Sequence, residues 1–353
     1  SSSEPSSVYF FNKNSSTPLW SFTQSYSFDS IAISANGEYI FAGTVAGGRV
    51  YLFNKESGTP IWNYTLGNKV ATIDISDNGD YIVAGSGNAV YIFGKNNSNP
   101  LWSYTTGDDV HSVAISADGR YTVAGSYDDN VYFLPRNKID FDWDYSTGAD
   151  VPSVDISADG EYMVAGSDDH KIYLFNKDSK DPLWSYTTGN YVYSVSISAD
   201  GEYIVAGSYD DTVYLFDKDS NSPLWSYSTG GNVMSVSISA DGEYIVVGSY
   251  DTKVYLFDKN SSTPLWSYST GNFLTSVAIS ADGEYIAVGS ADDKIYLFDK
   301  DSNTPLWSYD TGAGVRSVAI SADGEYIAAG SVNDKVFLFE KDSNSPLWSY
   351  DAG

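Results

Sequence analysis

All nine tryptophans of this 353-residue chain fall in one register: Trp20, Trp62, Trp102, Trp143, Trp184, Trp225, Trp266, Trp307 and Trp348. Their successive spacings are 42, 40 and then 41 six times. A fixed period means that the chain is built from copies of one supersecondary unit. Roughly 40 to 45 residues is the length of one four-stranded sheet. The period overrides the two or so domains that the length alone suggests. One repeating domain is expected over 8–353, behind a flexible Ser-rich arm over 1–7.

One unit shows how the sheet is made. Ser276-Val277-Ala278-Ile279-Ser280 alternates apolar and small polar residues, as a strand does. Asp282-Gly283 follows, a dipeptide suited to a tight hairpin turn with positive φ. Tyr285 to Ser290 (YIAVGS) is the second strand, Ala291-Asp292-Asp293 a turn, and Lys294 to Phe298 (KIYLF) the third. A polar stretch, Asp299 to Thr304, leads through Pro305 into Leu306-Trp307-Ser308-Tyr309, the fourth. Ile295 and Leu297 on one face and Tyr296 and Phe298 on the other are all apolar, so both faces must be covered. Sheets stacked flank to flank around an axis meet that need. Pro305 has no N–H to donate, which puts the fourth strand at an edge. The expected fold is all-β, an eight-bladed β-propeller of four-stranded antiparallel blades with one extra N-terminal half-blade hairpin. An open solenoid is the rival geometry.

Counting strands exposes a surplus. The first-and-second-strand unit occurs eight times, starting near Ser30, Thr72, Ser112, Ser153, Ser194, Ser235, Ser276 and Ser317. The third-and-fourth-strand unit occurs nine times, the extra copy being the half-blade 8–24, with Val8 to Phe22 reading VYFFNKNSSTPLWSF. Either this copy completes the last blade and displaces Val336 to Tyr350, or the C-terminal hairpin completes its own blade and the N-terminal one is spare. A spare hairpin is a template for pairing with another chain. The expected partner is another protein, including a second copy of this one, in a filament or array.

The formal charge is −27 although 18% of residues are charged, the other polarity being mostly Ser, Thr, Asn and Gly. Such a surface repels phosphate backbones and anionic lipid heads, which excludes nucleic acid as a partner. No apolar run approaches the roughly 18 residues of a membrane span, so no direct membrane insertion is expected. There is no cysteine, which removes disulfides, thiolate metal sites and cysteine nucleophiles. Asn14, Asn63, Asn96 and Asn260 each open an N-glycosylation triplet. With the Ser/Thr/Asn-rich surface, these agree with an extracellular or cell-surface location.

Ser317 to Phe339 (SVAISADGEYIAAGSVNDKVFLF) resembles the WD40 pattern, in which a Ser-x-Asp-Gly turn precedes Gly-Ser and an aromatic-Asp end. The Gly-His pair of that family is missing and Phe257-Asp258 or Phe175-Asn176 stands where Trp-Asp would. Val254 to Gly271 (VYLFDKNSSTPLWSYSTG) is similar to the quinoprotein-like, PQQ-type propeller repeat. That resemblance implies eight blades, with each Trp docked between neighbouring blades. It also brings quinone-dependent oxidoreductase activity to mind. Such chemistry needs an asymmetric cluster, and near-identical blades offer an eightfold-similar surface instead. The expectation is therefore a non-enzymatic structural or interaction module, with no catalytic residue and no cofactor. A monomeric ligand- or protein-binding scaffold is the alternative, and a quinoprotein-type oxidoreductase a further one.

The remaining candidates are few. His111 and His170 stand in non-equivalent positions, one ahead of a first strand and one in a second-to-third-strand loop, and read as solvated side chains. Acidic runs such as Asp128-Asp129, Asp168-Asp169, Asp210-Asp211 and Asp292-Asp293 recur at the blade loops. They form either an anionic ring for calcium or a basic partner, or simple turns; the turn reading is preferred. Asp217-x-Asp219-x-Asn221 and Asp299-x-Asp301-x-Asn303 have the spacing that opens a calcium loop, but the Gly at position six and the Glu at position twelve are lacking. Arg136 and Lys138 interrupt the third unit with positive charge and mark a possible unique binding patch. The tryptophans are expected to carry stability, so that Trp225→Ala destabilises while Asp210→Ala does not.

Overall fold

The computed structural model describes residues 6–11, 18–24, 28–35, 38–44, 47–137, 142–333, 335–346 and 348–351. Asn14 and Lys138 lie outside these residues, as do the side chains of Trp20 and Trp348. The strands form eight four-stranded antiparallel sheets and one two-stranded sheet, with no helix among the described residues. The fold is an eight-bladed β-propeller. The blades span 28–65, 70–105, 110–146, 153–187, 192–228, 233–269, 274–310 and 315–351. Two compact units divide the chain. Blades one to three lie in the first (Ser1–Ser167 and Phe175–Leu183), blades five to eight in the second (Asp168–Leu174 and Trp184–Asp351), and residues of the fourth fall in both.

The sixth blade is representative, with strands Val233–Ile238, Tyr244–Ser249, Lys253–Asp258 and Trp266–Ser269. The strands pair in sequence order, which leaves the fourth at the edge, as Pro305 in the next blade predicts. Val254, Tyr255, Leu256 and Phe257 are all buried although they alternate in direction. The core is thus laminar. Val246, Val254 and Leu256 of the sixth blade pack on Leu274, Val277 and Phe298 of the seventh. Each fully buried Leu or Phe contributes roughly 1.5–3 kcal/mol, and such a layer also joins the first blade to the second, the second to the third, the fifth to the sixth and the seventh to the eighth.

The first strands begin two residues before the expected serines, at Val192, Val233 and Leu274. A register shift between Val233 and Ser235, and its equivalents, adds one residue there. This bulge turns Val233 into the core, where it is fully buried. In the fourth blade Pro152 stands at the equivalent position, and the strand starts at Ser153 with no register shift. Neighbouring first strands are also tied directly, Val236 N–H donating to Ser194 Oγ and Val277 N–H to Ser235 Oγ, both at 3.1 Å.

The Ser-x-Asp-Gly turn shows why Gly stands where it does. Ser239 Oγ accepts from Tyr244 N–H at 3.0 Å and donates to Asp241 Oδ1 at 2.6 Å, while Gly242 takes a φ of 72°. A Cβ on Gly242 would lie 2.5 Å from Tyr203 Cδ2 in the preceding blade. Both the left-handed backbone and this close approach demand glycine.

Strands β1 (Ser6–Phe11) and β2 (Pro18–Gln24) form the two-stranded sheet. Strand structure therefore starts at Ser6, inside the stretch read as an arm. At the other end, Lys335–Glu340 and Trp348–Asp351 complete the eighth blade, so the spare hairpin is the N-terminal one. Phe22 of β2 lies 4.8 Å from Tyr51 and 5.4 Å from Phe53 of the first blade's third strand, ring centre to ring centre. Tyr186, its equivalent one repeat before Tyr214 and Phe216, makes the same pair of contacts at 5.4 and 5.2 Å. The hairpin covers the first blade as the outer half of a preceding blade would.

Candidate functional site

Each tryptophan with a described side chain reaches forward into the next blade. Its indole N–H donates to a backbone carbonyl 33 or 34 residues on: Trp62 to Lys95, Trp102 to Arg136, Trp184 to Lys218, Trp225 to Lys259 and Trp266 to Lys300, at 2.7–3.0 Å. Trp143 to Lys177 at 3.3 Å and Trp307 to Lys341 at 2.8 Å complete the set. The ring packs on the Phe one residue before the end of the next blade's third strand, as Trp225 does on Phe257 at 5.1 Å, except that Trp102 meets Leu134 there. These side chains are structural sockets.

The acidic runs divide their labour. The carboxylate of Asp210 accepts Thr212 N–H on one oxygen at 3.0 Å. Its other oxygen accepts Tyr214 O–H at 2.7 Å and, from the preceding blade, Gly189 N–H at 2.6 Å. Asp128, Asp169, Asp251 and Asp292 bond the Tyr hydroxyl four residues on in the same way, at 2.5–2.6 Å. The following residue takes positive φ, as in Asp129, His170, Asp211, Thr252 and Asp293. Burial works to raise the pKa of Asp128, but hydrogen bonds from Tyr132, Gly107 N–H and Asn130 hold it below the usual carboxylate range. The repeated aspartates are thus hinges of the framework. Sequence reading missed this role, although the Asp-x-x-x-Tyr spacing carries it.

The other candidates are placed as follows. Asp217 Oδ1 accepts Asp219 N–H at 2.8 Å and Asp219 pairs with Lys218 at 3.1 Å; Asp299 and Asp301 repeat this with Lys300. Among the described residues no group of three or more acidic or histidine side chains gathers as a metal site. Asn221 and Asn303 are both exposed bend residues. Arg136 stands at the repeat's usual lysine position. Its guanidinium lies 3.8 Å from the centre of the Tyr81 ring, and it donates to Gly119 O at 3.2 Å. These contacts turn it toward its own framework rather than outward. His111 lies within its first strand, not ahead of it, and its Nδ1 is 2.9 Å from Pro152 O. Asn63, Asn96 and Asn260 are exposed on the outer strand or the loop before it.

Two first strands carry a carboxylate where the others carry Ser or Ala, at Asp74 and Asp155. Asp74 occupies a position that is Ser196 and Ser237 in two other blades. Burial, with added repulsion from Asp155 and Asp77, pushes its carboxyl up to about 7 despite hydrogen bonds from Ile115 and Ile75 N–H. A raised acid favours the folded state most below its unfolded value near 4, and that contribution is lost as pH rises through about 7. Asp74→Ser is therefore expected to gain about 2 kcal/mol on wild type between pH 4.5 and pH 8, read from denaturant midpoints at both pH values. The figure is kept below the full shift because Asp74 is only half-buried. A constant difference across that range refutes the assignment.

One loop face of the second unit carries exposed aromatics that sequence reading did not single out. Tyr191, Tyr193 and Tyr250 are 43%, 40% and 51% exposed. Tyr193 stacks on Tyr209 at 5.1 Å, Tyr250 on Phe273 at 4.4 Å, and His170 meets Tyr191 edge-on at 5.3 Å. Burial, and then the proximity of Tyr193, Asp168 and Tyr250, raises the Tyr209 phenol above its usual range. The six rings and Asp168 therefore share one surface.

Repeat, blade architecture and forward-docked tryptophans together define a PQQ-type repeat propeller. The family model described as outer membrane protein assembly factor BamB matches residues 4–150, 140–272 and 251–353, and the chain belongs to that family. No curated protein matches the chain. A propeller of this type fits a protein-binding scaffold.

Proposed function

We propose that this chain is a non-enzymatic protein-interaction scaffold on the outside of the cell, and that its N-terminal hairpin mediates self-association. The observation that carries the reading is the half-blade. Among the described residues β1 pairs with β2 alone, so its other edge offers a row of backbone donors and acceptors to an incoming strand. Phe22 anchors the hairpin on the first blade, which presents that edge in a fixed direction. The repeated carboxylates supply supporting weight against catalysis, because each performs the same structural task in its own blade. The exposed glycosylation triplets at Asn63, Asn96 and Asn260 support an extracellular setting.

Light scattering of the full chain over a range of concentrations tests the assembly reading, beside a variant lacking residues 1–24. Growth of the full-length particle and a monomeric truncation are expected. A strict monomer in both ends the self-association half. Saturable uptake of pyrroloquinoline quinone with a visible chromophore would overturn the non-enzymatic half.

A further inference from the structure

We infer that the aromatic loop face of the second unit, centred on Tyr191, Tyr193, Tyr209 and Tyr250, binds an arginine- or lysine-bearing segment of a partner protein. The inference deepens the scaffold reading and rests on it. The repeats themselves supply the first argument. Along one first strand the two ends behave oppositely. At the end leading into the Ser-x-Asp-Gly turn the Ile-Ser pair is the same in all eight blades, as in Ile197-Ser198 and Ile238-Ser239. At the other end the second residue differs in all eight blades, from Asp29 and Ala71 to Tyr193 and Arg316. A framework needed only for stacking would repeat there too; instead Ala71, Tyr193 and Arg316 stand exposed at this position while His111, Met234 and Thr275 are partly buried. Variation concentrated at one end of a repeated strand is what ligand recognition produces.

Chemistry supplies the second argument. Tyr250 rests one face on Phe273 with an interplanar angle of 8° yet stays 51% exposed, so its other face meets solvent. Tyr193 and Tyr209 are stacked at 24° and are held by each other before any ligand arrives. Pre-stacked rings lose little freedom on binding. Their faces carry negative charge density that attracts guanidinium and ammonium groups, most strongly arginine, which also stacks. Asp168 lies beside them, Asp211 follows Tyr209 by two residues, and the chain as a whole carries −27. The charge complementarity selects a cationic segment, and the spread of rings over neighbouring blades selects an extended one.

The probe is an end-capped hexapeptide alternating Arg and Gly, labelled with a fluorophore and titrated by anisotropy at 150 mM salt. Y191S/Y193S/Y250S leaves the net charge untouched and is expected to bind about tenfold or more weakly, since each exposed cation–π contact contributes a factor of about two to five. Y191F/Y193F/Y250F keeps the ring faces and is expected to bind like wild type. Tyr250→Ser alone, a mild change at a half-exposed site, is expected to weaken binding about two- to fivefold and keeps the test alive if the triple variant misfolds. Equal affinity for wild type and the Ser variants means that charge alone attracts the peptide, and overturns the inference. Binding of neutral maltohexaose to the same tyrosines, with none of the peptide, overturns it in favour of a glycan. Either failure leaves the light-scattering result on the hairpin unaffected.

Discussion

Trp225→Ala is expected to lower the unfolding free energy by about 3–5 kcal/mol, the cost of truncating a large aromatic in a packed setting. Three losses coincide. The indole leaves its stack on Phe257, the Lys259 carbonyl loses its 2.8 Å donor, and a cavity opens against Val236 and Tyr255. All three belong to the contact between the fifth and sixth blades, so the damage falls on the join and not on one sheet. Trp225→Phe retains a ring and loses the N–H, and should cost about 1 kcal/mol. Guanidinium unfolding of the two variants beside wild type checks the pair. A loss below about 1 kcal/mol for the alanine variant removes the socket role.

Asp210→Ala is expected to cost about 3 kcal/mol, which reverses the neutral effect expected from sequence. Hydrogen bonds to a charged group are worth about 1.5–3 kcal/mol each, and this carboxylate accepts three. Their sum is not reached, because water re-solvates part of the vacated turn. The buried Tyr214 hydroxyl and the Gly189 amide, however, both lose their acceptor. Asp210→Asn keeps the shape and should recover about half of the loss. Thermal melts of both variants, with the exposed Asp219→Ala as a control within about 0.5 kcal/mol of wild type, measure it. A melting temperature of Asp210→Ala equal to that control refutes the hinge role.

The blade was legible in the sequence because its determinants are local. Asp282-Gly283 encodes a turn whose φ at Gly283 is 75°, and KIYLF over Lys294 to Phe298 encodes a strand buried on both faces. The bulge at the head of the first strand was not legible. It moves Val233 into the core through a register shift, and alternation counted from Ser235 outward gives no sign of it. The same holds for the site. Taken one at a time, Asp210 reads as a turn residue and Tyr214 as part of a covered strand face, and only their four-residue separation across a turn makes them a bonded pair. Tyr193 and Tyr250 are separated by more than one repeat, and what joins them is the stacking of blades. Arg136 looked like an interruption because its charge is matched to a rarer residue, yet its carbonyl receives Trp102 as Lys259 receives Trp225.

The half-blade at the N-terminus has a consequence for how the chain is made. Every other blade has a flank that stays wet until its predecessor is in place. The first blade, through Phe22 on Tyr51 and Phe53, has its own lid encoded immediately upstream. During synthesis that lid leaves the ribosome before the surface it shields, so Phe22 is at hand to cover Tyr51 and Phe53 as the first blade forms. Each later module then condenses on a seed that is already closed on one side.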